Sequence, residues 1–333
     1  MTTMTKREEN MNRRHMLASL LTSVALLSAP AFAQEYPQGP IKIIVPFPAG
    51  GSSDTTARSV ASALEKELGQ SVVVENMPGA NGRLGATTVA KSKPDGYTLL
   101  VASIGVFSIN AALFTDMDYD PLTDFDLLTV AVRTPNVLVA NPGFAAKTPQ
   151  ELVEQLKAKP DTVTFASSGV GSSDHLTAEL FWSESGTTGI HVPYQGGGPA
   201  IADLVGGHAQ VSFQNLGAVS SHIKEGGLKL LATTSEQRLE AFPDAPTMAE
   251  AGFPGVTVYS WQAVGAPAGL PENVRAKLES ALQTALKSPE LTEKFKGMGF
   301  EVVGNTGAEF EEFAKAEVAR WTKVVQAGGI KPE

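Results

Sequence analysis

The chain contains no cysteine. That removes disulfides, thiol nucleophiles, thiolate metal sites and lipid attachment at a cysteine together. Positive charge is also scarce, with 26 Lys and Arg against 35 Asp and Glu in 333 residues. A surface of that sign does not neutralise phosphates, so nucleic acid is excluded as a partner. No apolar run is long enough to cross a bilayer. The longest, residues 16–27, follows Arg13 and Arg14 and ends near Ala31-Phe32-Ala33, an A-x-A pattern. Residues 1–33 therefore read as a removable export signal peptide, cleaved near Ala33. Asn12-Arg13-Arg14 loosely matches a twin-arginine signal, and the general secretory route and a start at Met11 remain open. Without that segment 22 basic residues face 33 acidic ones, a net of −11. Any anion must then be held by local groups, because the global field repels it. No internal repeat or low-complexity segment is visible.

Ile41-Lys42-Ile43-Ile44-Val45 is a β-branched run, followed by Pro46-Phe47-Pro48-Ala49-Gly50-Gly51-Ser52-Ser53-Asp54. The pattern predicts a buried strand, a Pro/Gly turn and a helix over 55–68 that Gly69 closes, with Ser52, Ser53 or Asp54 as cap. Glycines before a helix N-terminus leave N–H groups uncovered at the positive end of the dipole, a seat for a small anion. The turn has no Lys and no G-x-x-x-x-G-K-[ST], which excludes a Walker-type loop and leaves a carboxylate as the better fit. The device recurs at Ser167-Ser168-Gly169-Val170-Gly171-Ser172-Ser173, ahead of a helix over 176–185.

Between and beyond these corners, strands are expected at 71–76, 97–103, 162–167, 190–194, 210–214 and 228–233. Helices are expected at 83–91, 149–158 (capped by Thr148), 199–205, 218–224, 271–286, 291–298 and 307–327. Residues 103–108 read as a small-residue loop. The extended segment 127–140 is interrupted at Thr134-Pro135-Asn136, which suits a chain crossing between domains better than a central strand. Alternating strands and helices predict an α/β fold with mostly parallel sheets.

Several blocks resemble, in order, the solute-binding receptors of tripartite tricarboxylate transporters, the Bug family. Val45-Pro46-Phe47 with Gly50-Gly51, Asp54 and Ala57-Arg58 is similar to their opening, and Glu75-Asn76-Met77-Pro78-Gly79-Ala80-Asn81-Gly82 to their second block. Gly171-Ser172 with His175-Leu176, His191-Val192-Pro193-Tyr194-Gln195-Gly196-Gly197, Asp203-Leu204-Val205-Gly206-Gly207 and Ala266-Pro267-Ala268-Gly269-Leu270-Pro271 continue the match. The sequence departs from the usual pattern at Ala49, often Pro, and at Gln195, commonly Lys.

The resemblance implies a periplasmic-binding-protein-like clamshell of two lobes, 34–134 with 260–333 and 135–259, joined by two crossing segments. It further implies a monomer that closes on a small carboxylate and delivers it to membrane permease subunits, without cofactor or metal. The expected ligand contacts are Phe47, Ala49, Gly50, Gly51, Ser52, Ser53, Ser103, Ser167, Ser168, Gly169, Ser172, Ser173, His175, Gln195, Gln214 and Asn215. Two opposed helix N-termini holding one carboxylate at roughly 1.5–3 kcal/mol per charge-assisted bond suffice for micromolar affinity. The seryl hydroxyls can serve as caps as readily as donors, and His175 can order its loop as readily as touch a ligand. Phe107 and Trp261 can floor a pocket or fill the core. The alternative is a secreted esterase, but the chain has no G-x-S-x-G, no complete dinucleotide fingerprint and no H-E-x-x-H.

Overall fold

A computed structural model describes residues 36–331, and the chain from Gly39 onward forms one compact unit. The expected signal peptide lies outside the described residues. The strands are β1 (Ile41–Val45), β2 (Val72–Asn76), β3 (Thr98–Ser103), β4 (Phe125–Ala140), β5 (Thr164–Ser167), β6 (Ile190–Pro193), β7 (Val211–Asn215), β8 (Lys229–Thr233), β9 (Tyr259–Pro267) and β10 (Glu301–Val302). Their order is β2-β1-β3-β9-β4-β7-β5-β6, with β8 and β10 also paired to β4.

The fold is α/β, and its sheet is mixed where mostly parallel pairing was expected. β1 lies parallel to β2 and β3, and β5 parallel to β6 and β7. Between these parallel sets, β9 runs antiparallel to β3 and β4, and β4 antiparallel to β7. Local sequence carries no sign of this, because β4 and β9 meet across more than 100 residues of chain.

β4 is continuous through Pro135, correcting the expected interruption. Proline is tolerated where the ladder changes hands. Thr134 and Pro135 face Ser260 and Tyr259 of β9, whereas Asn136 already faces Asn215 of β7. A missing N–H at such a switch leaves no acceptor in a regular ladder unpaired.

Helix α1 (Ser52–Leu68) begins three residues before the expected start and ends at Gly69 in the left-handed region. Helix α2 (Arg83–Ala90) follows. The expected loop at 103–108 is instead a π-helical turn, Gly105–Ile109, running into α3 (Asn110–Leu113). Burial explains it: Val106, Phe107 and Ile109 are all fully enclosed, and Phe107 meets Phe125, Trp261 and Phe310 ring to ring. Phe107 and Trp261 are thus core. Helix α4 (Pro149–Ala158) has the expected Thr148 cap, whose hydroxyl accepts from Glu151 N–H. Next come α5 (Ser173–Ser185), α6 (Gly197–Gly206), α7 (Leu216–Lys224), α8 (Glu272–Leu286) and α9 (Pro289–Gly297). The last helix, α10 (Gly307–Gly328), opens with a Thr306/Glu309 capping box.

One apolar cluster, around Phe107, Trp261, Phe310 and Trp321, lies against β1, β3 and the first part of β4. It also takes in Leu176 from the first turns of α5. A second, around Phe165, Phe181 and Phe213, fills the space between α5 and β5, β7 and the end of β4. Both strand–glycine–helix corners therefore sit on rigid, fully buried supports.

Candidate functional site

At the first corner, Gly51 is the N-cap of α1 with extended backbone (φ −79°, ψ 175°), and no side chain caps the helix. The amides of Gly51, Ser52 and Ser53 have no protein acceptor among the described residues. Gly50, at φ +85°, behaves differently. Its N–H donates to Asp54 Oδ2 at 2.9 Å, so it is not the uncovered donor the sequence suggested. Asp54 also accepts from Arg58 Nε at 3.0 Å and from Asn76 Nδ2 at 3.0 Å, and that same Asn76 nitrogen reaches Phe47 O at 3.0 Å. Burial raises the Asp54 carboxyl, but these hydrogen bonds and the Arg58 charge outweigh it and hold the group below its ordinary value. Asp54 is a brace for the turn.

The second corner satisfies most of its own amides. Ser172 caps α5, accepting from His175 N–H at 3.3 Å and donating to Gly169 O at 2.6 Å. Asp174 Oδ2 accepts from Ser168 N–H at 2.7 Å, Ser168 Oγ at 2.8 Å and Gln214 Nε2 at 3.2 Å. Gly169 N–H donates to Ser167 Oγ and Gly171 N–H to His175 Nδ1, both at 3.1 Å. The bond from Gly171 leaves the proton of a neutral His175 on Nε2, which faces Glu179 Oε1 at 3.4 Å. His175 stacks on His191 with ring centroids 3.7 Å apart, and His191 Nε2 meets Ser167 Oγ at 2.6 Å. Burial, with the neighbouring His175 second, drives His191 down to about 3. Gly171 is packed so closely that a Cβ there would lie 2.6 Å from Leu113 Cδ2. Among the corner's amides only those of Val170, Ser173 and Asp174 lack a protein acceptor among the described residues.

Both corners line one cleft of about 960 Å³. Of the expected residues, Phe47, Ala49, Gly50, Gly51, Ser52, Ser53, Ser103, Ser168, Gly169, Ser172, Ser173, Gln195, Gln214 and Asn215 border it. Ser167 and His175 are not part of its lining. Both are buried beneath the second corner and hold its loop in shape. Sequence reading missed Asn81, Arg83, Asp174, Tyr194, Ser260 and Gln262, which also line the cleft. Asn81 spans it, its Nδ2 lying 3.4 Å from Val170 O. An Asn-Gly pair at a turn was its available signal.

Among the described residues, Arg83 supplies the single Lys or Arg of the lining. Its guanidinium lies over the Phe114 ring and donates from Nη2 to Asp116 O at 2.6 Å, while its buried Nε has no hydrogen-bond partner among the described residues. The positive ends of α1 and α5, with their free amides, are therefore the main charge offered to an anion.

Residues 56–330 match the family model described as the tripartite tricarboxylate transporter family receptor. The chain belongs to that receptor family. It is 38% identical to protein BugT of Bordetella pertussis over 97% of this chain and 99% of that one. Among solved structures, an R. palustris protein with adipate superposes at a TM-score of 0.83 with 34% identity, covering 90% of this chain and all of the other. MatC from Rhodopseudomonas palustris with bound malate gives 0.80 and 32%, covering 87% and 100%. The receptor shares with these neighbours the two-lobed periplasmic-binding-protein architecture.

Proposed function

We propose that this receptor is periplasmic and captures a small mono- or dicarboxylate, aliphatic or aromatic, between lobes comprising 34–134 with 260–333 and 135–259. It acts as a monomer and hands the acid to the membrane subunits of a tripartite transporter. Closure is a hinge motion near Thr134–Asn136 and 257–261. It is favoured because donors from both corners reach one carboxylate only in the closed state. The observation that carries the reading is the first corner: three free amides, at the positive end of a 17-residue helix, opening onto a shared cleft. The bound adipate and malate of the two structural neighbours support a carboxylate as the ligand class.

The esterase alternative draws no support from the geometry. Ser167 and His191 touch, but the pair is off the cleft, and a ring held near 3 is a poor general base at neutral pH. Isothermal titration against a panel of organic acids, run beside p-nitrophenyl ester assays, tests the proposal. Saturable one-to-one binding without turnover is expected. Ester turnover with no acid binding would overturn it.

A further inference from the structure

The cleft has a third wall that neither glycine corner supplies. On β9, Trp261 and Ala263 point into the apolar core, so the alternating Ser260 and Gln262 point to the opposite face, where they line the cleft. The strand holds them firmly: Gln262 is paired on one side with Ser103 of β3 and on the other with Val132 of β4. Both side chains are deeply set, Ser260 at 4% exposure and Gln262 at 2%. Yet they are not satisfied from within. Among the described residues Ser260 has no partner for its hydroxyl, and Gln262 uses one end of its amide only, accepting from Ser53 Oγ at 2.6 Å. Ser103, next to Gln262, brings a further hydroxyl to the same floor.

We infer that Gln262, held by Ser53 and flanked by Ser260, is a specificity-determining residue that reads a hydroxyl group on the bound acid. This rests on the receptor reading above and narrows it to hydroxycarboxylates. Whichever way the Gln262 amide is turned, one polar atom engages Ser53 and the other faces the cleft. A ligand hydroxyl both donates and accepts, so it matches either turn and Ser260 as well. A methylene at the same place displaces solvent from these groups without replacing its bonds. A site built to bond a hydroxyl discriminates strongly against the analogue that lacks it. The floor carries no Lys or Arg, so it is matched to a neutral polar group, and the carboxylate stays with the free amides of α1.

The test is calorimetric titration with matched pairs differing by one hydroxyl: malate and succinate, 2-hydroxyglutarate and glutarate, lactate and propionate. The expected result is at least one pair in which the hydroxy acid binds about tenfold tighter or more. Gln262→Met, similar in size and apolar at its end, should bring that ratio close to one through weaker binding of the hydroxy acid. Ser53→Ala removes the group that fixes the amide and should also lower the ratio; it serves if Gln262→Met does not fold. Equal affinities within every pair, or a ratio unchanged in both variants, overturn the assignment. Binding confined to acids with no hydroxyl overturns it too, while leaving the receptor reading in place. A protein that binds no acid at all overturns both.

Discussion

The two strand–glycine–helix corners are alike in sequence and differ in how far side chains occupy their own polar groups. At the first, Asp54 takes the Gly50 N–H, no side chain caps α1, and Gly51, Ser52 and Ser53 are left as donors. At the second, Ser167, Ser172, Asp174 and His175 reach back and occupy the loop's own polar groups. The difference lies in side chains, since both loops are rich in glycine and serine. A glycine corner becomes an anion seat when its helix is left uncapped. Capped from within, it is stiffened, and of its amides those of Val170, Ser173 and Asp174 stay open to a ligand among the described residues.

The sharpest way to break this contrast is to spoil the open corner. Gly51 has a backbone any residue adopts, and a Cβ there meets only Pro48 O, at 3.7 Å. Gly51→Asp therefore folds, but its carboxylate competes for the free amides and repels an acid. Calorimetry should show affinity lost by about 100-fold or more, roughly the worth of two charge-assisted bonds, with the ligand-free melting temperature nearly unchanged. Asp54→Ala attacks the brace instead. It leaves Gly50 N–H without its acceptor and takes one of two acceptors from Asn76 Nδ2 and the ion pair from Arg58, so chemical denaturation should show a loss of about 1–3 kcal/mol.

Ser172→Ala sharpens the comparison from the other side. Removal of the α5 cap should cost about 1 kcal/mol in stability. If the second corner's hydroxyl serves its own loop, acid affinity should change by less than about threefold, a far smaller effect than at Gly51. A last test reads the pH profile of stability instead of affinity. His191 in the folded state lies near 3, below its ordinary 6.5, so the unfolded chain takes up a proton that the folded chain refuses. Its contribution to stability is complete above pH 6.5 and drains away as pH falls toward 3. Asp54, held below 3.8, adds its own loss at the acid end of that range. Denaturation midpoints between pH 7 and 4 should fall less steeply in His191→Gln than in the parent. An unchanged slope would remove His191 from the acid response.

What could be read in advance follows from how local each signal is. The helix 149–158 carries its own start in Thr148, Pro149 and Glu151, and the final helix its Thr306 and Glu309 box, so both agree with the structure. The corners were legible because strand, glycine and helix are contiguous, and 14 of the 16 expected residues border the cleft. The continuity of β4 through Pro135 was not, because it depends on a partner more than 100 residues away. Nor was the turn at Gly105–Ile109, where packing on Trp261 and Phe310 overrides small-residue composition. The occupation of Gly50 N–H by Asp54 was hidden for the same reason that Gln262 was overlooked: both depend on where a side chain turns in three dimensions. Tryptophan at 261 drew attention to the core face of β9, and its polar neighbours point the other way.

The measurement that bears most directly on main-chain capture is an amide-resolved NMR titration with whichever acid of the panel binds. The account predicts saturating shifts at the amides of Gly51, Ser52 and Ser53, with much smaller changes at Gly50, Gly169 and Gly171, whose N–H groups are already engaged. Silent amides at the start of α1, together with loss of binding in Arg83→Gln, would contradict it.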